Sequence, residues 1–256
     1  MLNPSVGSLE FMIRKAFVVG ATILMFSSCG SSGSDGNSTD SGSESTVDRP
    51  GFEEDKAAAQ SALLTLADFP SGWSEVPVED ETDEGANSEF AACVGSDEGL
   101  IDVGGAKAST GDFSGPDGNV TISEGVGIAQ TVDEAAAQLT ALEEPGVTAC
   151  LQDAFRDLVS DRIKDPSTFG GTPEDYSVGE VTLGRLNVTP VGDQVVAYRV
   201  SVEIKSEEVS VNLFLDNVYA RMGRSIVSLQ FETALDPYAA EDVDQIVSLA
   251  VSRLPG

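Results

Sequence analysis

The last third of the chain alternates between apolar and polar side chains, and this pattern constrains the fold more than any other feature. Three alternating runs place apolar residues first at Tyr198, Val200, Val202 and Ile204, next at Val209, Val211, Leu213 and Leu215, and then at Val227, Leu229 and Phe231. Side chains two residues apart point to the same face of a β-strand, so each run predicts a strand with one apolar face. Short turns separate the runs. The pattern therefore predicts an antiparallel meander with one buried face.

Segments with helical spacing precede and follow the meander. The sequence predicts one helix over residues 53–67, a second that begins at a capping box of Thr131 and Glu134, and a third that follows Pro145. Asp236 and the proline after it predict the start of a last helix, with the acid as N-cap and the proline in the first turn. We expect this last helix to cover the outer side of the sheet.

Two further strands are predicted over residues 106–113 and 119–130, on either side of a Gly-Pro-Asp-Gly turn. Trp73, the only tryptophan, follows Pro-Ser-Gly, and we expect it to plug the core beside a helix end. The elements together predict an α+β fold, in which helices pack against a twisted antiparallel β-sheet. Residues 52–256 are expected to form this fold as a single domain.

The N-terminal stretch has the layout of a secretory signal peptide. Arg14 and Lys15 precede an uncharged run from Ala16 to Phe26, and two serines then lead to Cys29. The run is too short for a bilayer span, which needs about 20 apolar residues, but it fits a signal core of about 7–15 residues. Its end resembles the lipobox of bacterial lipoproteins, in which the cysteine is acylated and becomes the mature N-terminus. We therefore predict that residues 1–28 are a lipoprotein signal peptide and that Cys29 carries the lipid.

Ordinary secretion and an uncleaved anchor are the alternatives to lipidation, because Phe26 stands where a lipobox usually carries leucine. Residues 1–11 contain an acid, Glu10, and no base, so Met12 is an alternative start of translation. Residues 29–51 are rich in Ser, Gly and Asp and too poor in apolar residues to fold, which predicts a flexible tether. The predicted location is the extracytoplasmic face of the cell membrane, with the lipid as anchor.

The charge of the chain excludes some partners. The formal net charge is −29, from 14 Lys and Arg and 43 Asp and Glu. Binding to nucleic acid requires clustered cations that neutralise phosphates, so nucleic acid is excluded. Anionic headgroups should also repel the domain, which leaves the acyl chains as its only hold on the membrane.

The cysteines predict one disulfide. With Cys29 assigned to the lipid, Cys93 and Cys150 remain as an even pair in an oxidising compartment, where a disulfide is the expected outcome. Cys150 lies beside the apolar stripe of its helix, so we expect it to face inward. A nucleophilic thiol is the alternative, but it would need an activating base, and the chain contains no histidine.

Recognisable catalytic motifs are missing. Without histidine, Ser–His–Asp triads and His-ligated metal sites are excluded. Gly125 and Gly127 lack the third glycine of a dinucleotide loop and fall inside a predicted strand. Hydrolysis by a pair of carboxylates stays open, because many acids are candidates. We predict a non-catalytic protein with no catalytic residue, no cofactor and no metal ligand, and the sequence singles out no ligand-binding residue.

Several segments together resemble a known group of proteins. These segments are ALLTLADFPSGW at 62–73, FAACVG at 90–95, VDEAAAQLTALEEPGVTAC at 132–150 and the stretch 221–254 that begins RMGRSIVSLQF. The pattern resembles actinobacterial surface lipoproteins, the extracellular sensor domains of mycobacterial membrane kinases and, more distantly, Mog1/PsbP-like lipoproteins. It covers roughly residues 53–254 and carries no catalytic motif. Those sensor domains typically hold two disulfides, whereas this chain can form only one.

Two functions from different classes follow from these features. The first is a binding or sensing domain, tethered to the membrane, whose partner is an envelope small molecule, a lipid or an envelope protein. The alternative is a passive structural or assembly protein of the envelope without a dedicated ligand. A pocket in the folded domain with convergent polar groups would favour the first function.

Overall fold

The computed structural model describes residues 51–76, 90, 92–95, 105–164, 176–206 and 210–256. The helices are α1 (Phe52–Ala62), α2 (Val132–Leu142), α3 (Pro145–Lys164) and α4 (Ala240–Arg253), and a 3₁₀ turn spans Leu66–Asp68. The strands are β1 (Ser74–Val76), β2 (Ala106–Ser109), β3 (Asp112–Ser114), β4 (Val120–Ile128), β5 (Tyr176–Arg185), β6 (Gln194–Ser206), β7 (Ser210–Met222) and β8 (Ser225–Ala234). The predicted signal peptide, Cys29 and the tether up to residue 50 lie outside the described residues. No helix within the described ranges is long and apolar enough to cross a membrane.

All eight strands belong to one antiparallel sheet. Its order is β1-β3-β4-β8-β7-β6-β5, and β2 pairs with β4 beside β3. Strands β6 to β8 form the predicted meander, β5 adds a further antiparallel strand beside β6, and β4 pairs with β8 along its whole length. This pairing joins the first hairpin to the meander in a single α+β domain, as the sequence predicted.

The prediction that the meander has one buried face is wrong, because helices cover both faces of the sheet; the last helix covers the second face, as predicted. The apolar residues of β6 and β8 point to opposite sides. We call the side under α2 and α3 the α2/α3 face, and its core includes Tyr198, Val200, Val202, Leu213, Leu139, Leu142, Leu151 and Phe155. The opposite side is the α1/α4 face, and its core includes Val218, Val227, Leu229, Phe231, Ala59, Val243, Val247 and Ala250. Nearly every side chain of β8 is therefore buried.

The first helix is shorter than predicted, and a tertiary contact explains why. It ends at Ala62 instead of residue 67, and Leu63 already has extended backbone angles. The N–H of Leu64 donates to the Oε2 atom of Glu124 at 2.5 Å instead of continuing the helix. Leu66 would belong to the apolar stripe of a helix that continued to residue 67, and it is 40% exposed instead.

Two other predicted boundaries also change. The last helix begins at Ala240, with Ala239 as its N-cap, instead of at Asp236. The predicted strand over residues 106–113 divides into β2 and β3, because the chain approaches β1 closely at Gly111. A Cβ atom at Gly111 would lie 2.6 Å from the carbonyl oxygen of Val76, so the turn needs glycine there.

The predicted cap of the second helix is present in part. Thr131 Oγ1 accepts the N–H of Glu134 at 3.1 Å. The carboxylate of Glu134 accepts from the N–H of Gln130 rather than from Thr131. Val132, the first residue of this helix, lies exposed although it is apolar.

Candidate ligand-binding site

The structure joins the two predicted cysteines, but not where the sequence placed them. A disulfide links Cys93 to Cys150 with a Cα–Cα distance of 5.6 Å. Cys150 is exposed, so the prediction that it faces inward is wrong. The disulfide lies at the rim of the α2/α3 face, where Phe90 packs against Phe155 of α3 with ring centroids 4.6 Å apart. It ties the short helical segment around Cys93 to α3.

A row of polar side chains crosses the α2/α3 face at the centre of the sheet. Ser123 of β4 lies opposite Gln230 of β8, which lies opposite Asn217 of β7. Ser123 also donates a hydrogen bond to Asp112 of β3 at 2.6 Å. All four side chains are buried, with exposed fractions between 2% and 5%. The row therefore spans four neighbouring strands inside the protein.

Polar residues flank this row on both sides. Thr121 and Glu232 are register partners in the next row, and Tyr219 and Ser228 are register partners on the other side. We call the whole set the polar belt. Its members are Asp112, Thr121, Ser123, Asn217, Tyr219, Ser228, Gln230 and Glu232, all of them buried. Gly125 lies opposite Ser228 and adds no side chain, so that part of the sheet surface is bare backbone.

The polar belt contains buried atoms that have no hydrogen-bond partner. The amide nitrogen of Gln230 donates to Glu232 at 2.9 Å, but the Gln230 Oε1 atom accepts nothing. The hydroxyl of Tyr219 also has no partner, and its side chain is 2% exposed. Burying a polar group without a hydrogen bond costs about 1–3 kcal/mol. Such atoms are uncommon in folded proteins and call for an occupant, such as water, an ion or a ligand.

Burial also changes the titration of belt residues. It raises the pKa of Asp112 above its ordinary value, and the hydrogen bond from Ser123 opposes the rise in part. Burial likewise raises the pKa of Tyr219, so this hydroxyl stays neutral and can donate a hydrogen bond to an acceptor.

The opposite face of the sheet holds a buried acid with a structural role. Glu124 is fully buried, and its Oε2 atom anchors the Leu64 N–H. Arg253 of α4 donates to the Leu63 carbonyl at 2.9 Å and pairs with Asp68, which accepts from Thr65. These contacts fix the turn after α1 to the sheet and to α4, so Glu124 is a structural anchor here.

The sequence analysis did not find the polar belt. Ser228, Gln230 and Glu232 alternate with Val227, Leu229 and Phe231, which is the usual pattern of a strand with one solvent face. This alternating pattern was ambiguous, because the residues next to β8 in the sequence do not show that helices cover both of its faces. Within the described residues, no three or more acidic or cysteine side chains are grouped so that they could hold a metal ion.

Two mycobacterial proteins of solved structure are similar to this chain, with low TM-scores. An uncharacterised protein from Mycobacterium smegmatis shares 12% identity over 78% of this chain and 97% of its own, with a TM-score of 0.39. The extracellular domain of PknH from Mycobacterium tuberculosis shares 10% identity over 71% of this chain and 98% of its own, with a TM-score of 0.32. No protein-family model matches the sequence, and no curated protein matches it significantly. The functional argument therefore rests on the polar belt.

Proposed function

We propose that the protein is a lipid-anchored binding protein on the extracytoplasmic face of the cell membrane. Its domain captures a small polar ligand of the envelope at the polar belt and does not transform it. Cys29 carries the anchor, and residues 29–51 act as the tether.

The observation that carries this proposal is the pair of unsatisfied polar atoms, Gln230 Oε1 and Tyr219 OH, in the middle of the sheet. Replacing buried polar groups by apolar groups of the same shape is often neutral or stabilising. A domain that only needs to be folded therefore gains nothing from a buried belt of eight polar residues. A ligand that completes these hydrogen bonds gives the belt a function.

The disulfide and the tether support the proposed location. Disulfides persist in oxidising compartments outside the cytoplasm, and the structure contains the Cys93–Cys150 bond. A flexible tether of this length reaches roughly 25 Å. It would let the domain search a shell above the membrane, where a high local concentration favours capture.

The two carboxyl groups of the belt leave hydrolysis as an alternative function to test. Asp112 and Glu232 are two acids in a buried site, which is the minimum for hydrolysis by a carboxylate pair. Each of them accepts a hydrogen bond from a neighbour, Ser123 and Gln230 respectively. Turnover is therefore measured alongside binding.

The test compares two isosteric variants that each remove one unsatisfied buried hydroxyl. Tyr219→Phe removes it from the polar belt. Thr233→Val removes it from β8 on the opposite, α1/α4 face, where Thr233 Oγ1 is also without a partner among the described residues. Full-length protein in mild detergent is heated with aqueous extract, lipid extract or cell-wall fragments of the envelope, and its Tm is measured.

We expect one fraction to raise the Tm of the wild type. A ligand present at 100 times its Kd adds about 2.7 kcal/mol of stability, which corresponds to about 5–10 °C for a domain of this size. Tyr219→Phe should lose most of this rise, and Thr233→Val should keep it. Equal rises in both variants, or no rise with any fraction, would favour the passive envelope role, and release of product from any fraction would contradict the absence of catalysis.

A further inference from the structure

We infer that the polar belt selects a small ligand that bears a primary ammonium group together with hydroxyl groups, and that it rejects anions. The inference rests on the proposed function and adds the chemical class of the ligand. Two properties of the belt support this inference: its charge and its unused hydrogen-bonding capacity.

The charged members of the polar belt are both acids. Asp112 lies on β3 and Glu232 on β8, two strand spacings apart across the sheet, which is about 10 Å. The other members are amides and hydroxyls. A ligand in the belt therefore meets carboxyl oxygens at two points and neutral polar groups between them. An ammonium group can donate to a carboxylate in a charge-assisted hydrogen bond, whereas a phosphate or carboxylate would be repelled.

The unused hydrogen-bonding capacity of the belt also favours a donor. The amide nitrogen of Gln230 is already bonded to Glu232, so its unsatisfied atom is the acceptor Oε1. The free hydroxyl of Tyr219 accepts from one group and donates to another. Hydroxyl groups on the ligand suit Tyr219, Ser228 and Asn217, which line the same face.

The arginines whose side chains are described already have acidic partners. Every arginine whose side chain is described pairs with an acid, in the pairs Arg156–Asp153, Arg185–Glu143, Arg199–Asp216, Arg221–Asp193, Arg224–Asp55 and Arg253–Asp68. The segments between residues 77 and 209 that lie outside the described ranges contain no Lys or Arg in their sequence. An anionic ligand would therefore find no free counter-charge from these sources.

Among the strand residues with described side chains, three cations lie on the α2/α3 face, at its edges. Arg185 stacks over the ring of Tyr198 at 4.6 Å and pairs with Glu143. Arg221 donates to Asp193 and to the Gly223 carbonyl, although its Nε atom has no partner. Lys107, on β2, is also engaged. None of them lies in the register rows of Asp112 or Glu232 between β3 and β7, so the centre of the face stays acidic.

The test uses three sugars of equal size and different charge: glucosamine, glucose and glucuronate, each at the same ionic strength. We expect glucosamine to raise the Tm of the full-length protein most, glucose less, and glucuronate not at all. Asp112→Asn should weaken glucosamine binding at least tenfold, because the amide keeps the hydrogen bond from Ser123 but loses the charge. Asp157→Asn, an exposed site on α3, makes the same change in net charge and should leave binding unchanged.

Each outcome decides the inference. A rise in Tm with glucuronate equal to that with glucosamine would overturn the inference. Equal glucosamine binding by the Asp112 and Asp157 variants would also overturn it, because the effect would then be a diffuse attraction to an acidic surface. No rise with any sugar would also overturn it. If Asp112→Asn does not fold, Glu232→Gln tests the other acid in the same way. A wild type that is stabilised by an envelope fraction through Tyr219, but not by glucosamine, would keep the proposed function and remove only the ligand class.

Discussion

Glu124→Gln probes the buried acid of the α1/α4 face. Glutamine has the same shape as glutamate, and its amide oxygen can keep the hydrogen bond from the Leu64 N–H while the charge is lost. Because the Leu64 contact is preserved, the variant changes titration and leaves the packing of the turn intact. The effect should therefore depend on pH.

The magnitude follows from the pKa of Glu124. Burial raises this pKa from the ordinary 4.5 to about 7, against the opposing effects of the Leu64 N–H and of Arg253. Between these two pH values the folded protein holds a proton that the unfolded chain has released, so its stability falls as the pH rises from 4.5 to 7. The pKa difference corresponds to about 3 kcal/mol. The variant does not lose this stability. The difference in free energy of unfolding between the variant and the wild type should therefore grow by about 3 kcal/mol, in favour of the variant, as the pH rises across the window.

Trp73 provides the assay. It is the only tryptophan and stacks on Phe69 with ring centroids 4.8 Å apart, so its fluorescence reports unfolding. Urea unfolding is followed at several pH values from about 4.5 to about 7.5, with Glu144→Gln as an exposed control that removes one carboxylate. The control should follow the wild-type curve. If the stability curves of Glu124→Gln and the wild type are parallel over this window, the reasoning about Glu124 is refuted.

Two further predictions concern the cysteines. Cys29→Ser should move the protein from the membrane fraction to the medium or leave an uncleaved precursor, and normal processing with unchanged membrane association would contradict lipidation. Replacing both Cys93 and Cys150 by serine should lower the free energy of unfolding by about 2–4 kcal/mol, because the bond closes a loop with a sequence separation of 57 residues. Peptide mapping without reductant should find the two cysteine peptides linked, and free thiols at both positions in protein from the envelope would argue against the bond.

Elements with a strong local period were predicted well. The apolar positions of β6 and the stripe of α4 are buried in the structure, at Val200 and Val202 and at Val247 and Ala250. Period and side-chain type are properties of neighbouring residues, so a single sequence contains them.

The boundaries of the elements were predicted less well. Glu124 captures the Leu64 N–H from 60 residues away and ends α1 early, and no local pattern contains that contact.

The burial of Cys150, near the candidate site, could not be predicted from the local sequence either. Its position beside an apolar stripe predicted a buried side chain, but the structure leaves it exposed at the rim of the α2/α3 face. The number of cysteines and the compartment were enough to predict a bond. Where the bond lies depends on how α3 is rotated against the sheet, which the packing of Leu151 and Phe155 decides.

By itself, the sequence determined the α+β class, the meander, the apolar stripes of the helices and the exclusion of histidine chemistry, because these depend on local period and composition. Only the tertiary structure decided that Gln230 and Glu232 are buried. Their strand, β8, lies between β4 and β7 and is covered by helices on both faces. A polar residue in an alternating strand is exposed or buried according to what packs above it, and that partner is distant in the chain. The polar belt can therefore be recognised only in the tertiary structure, where helices cover both faces of the sheet.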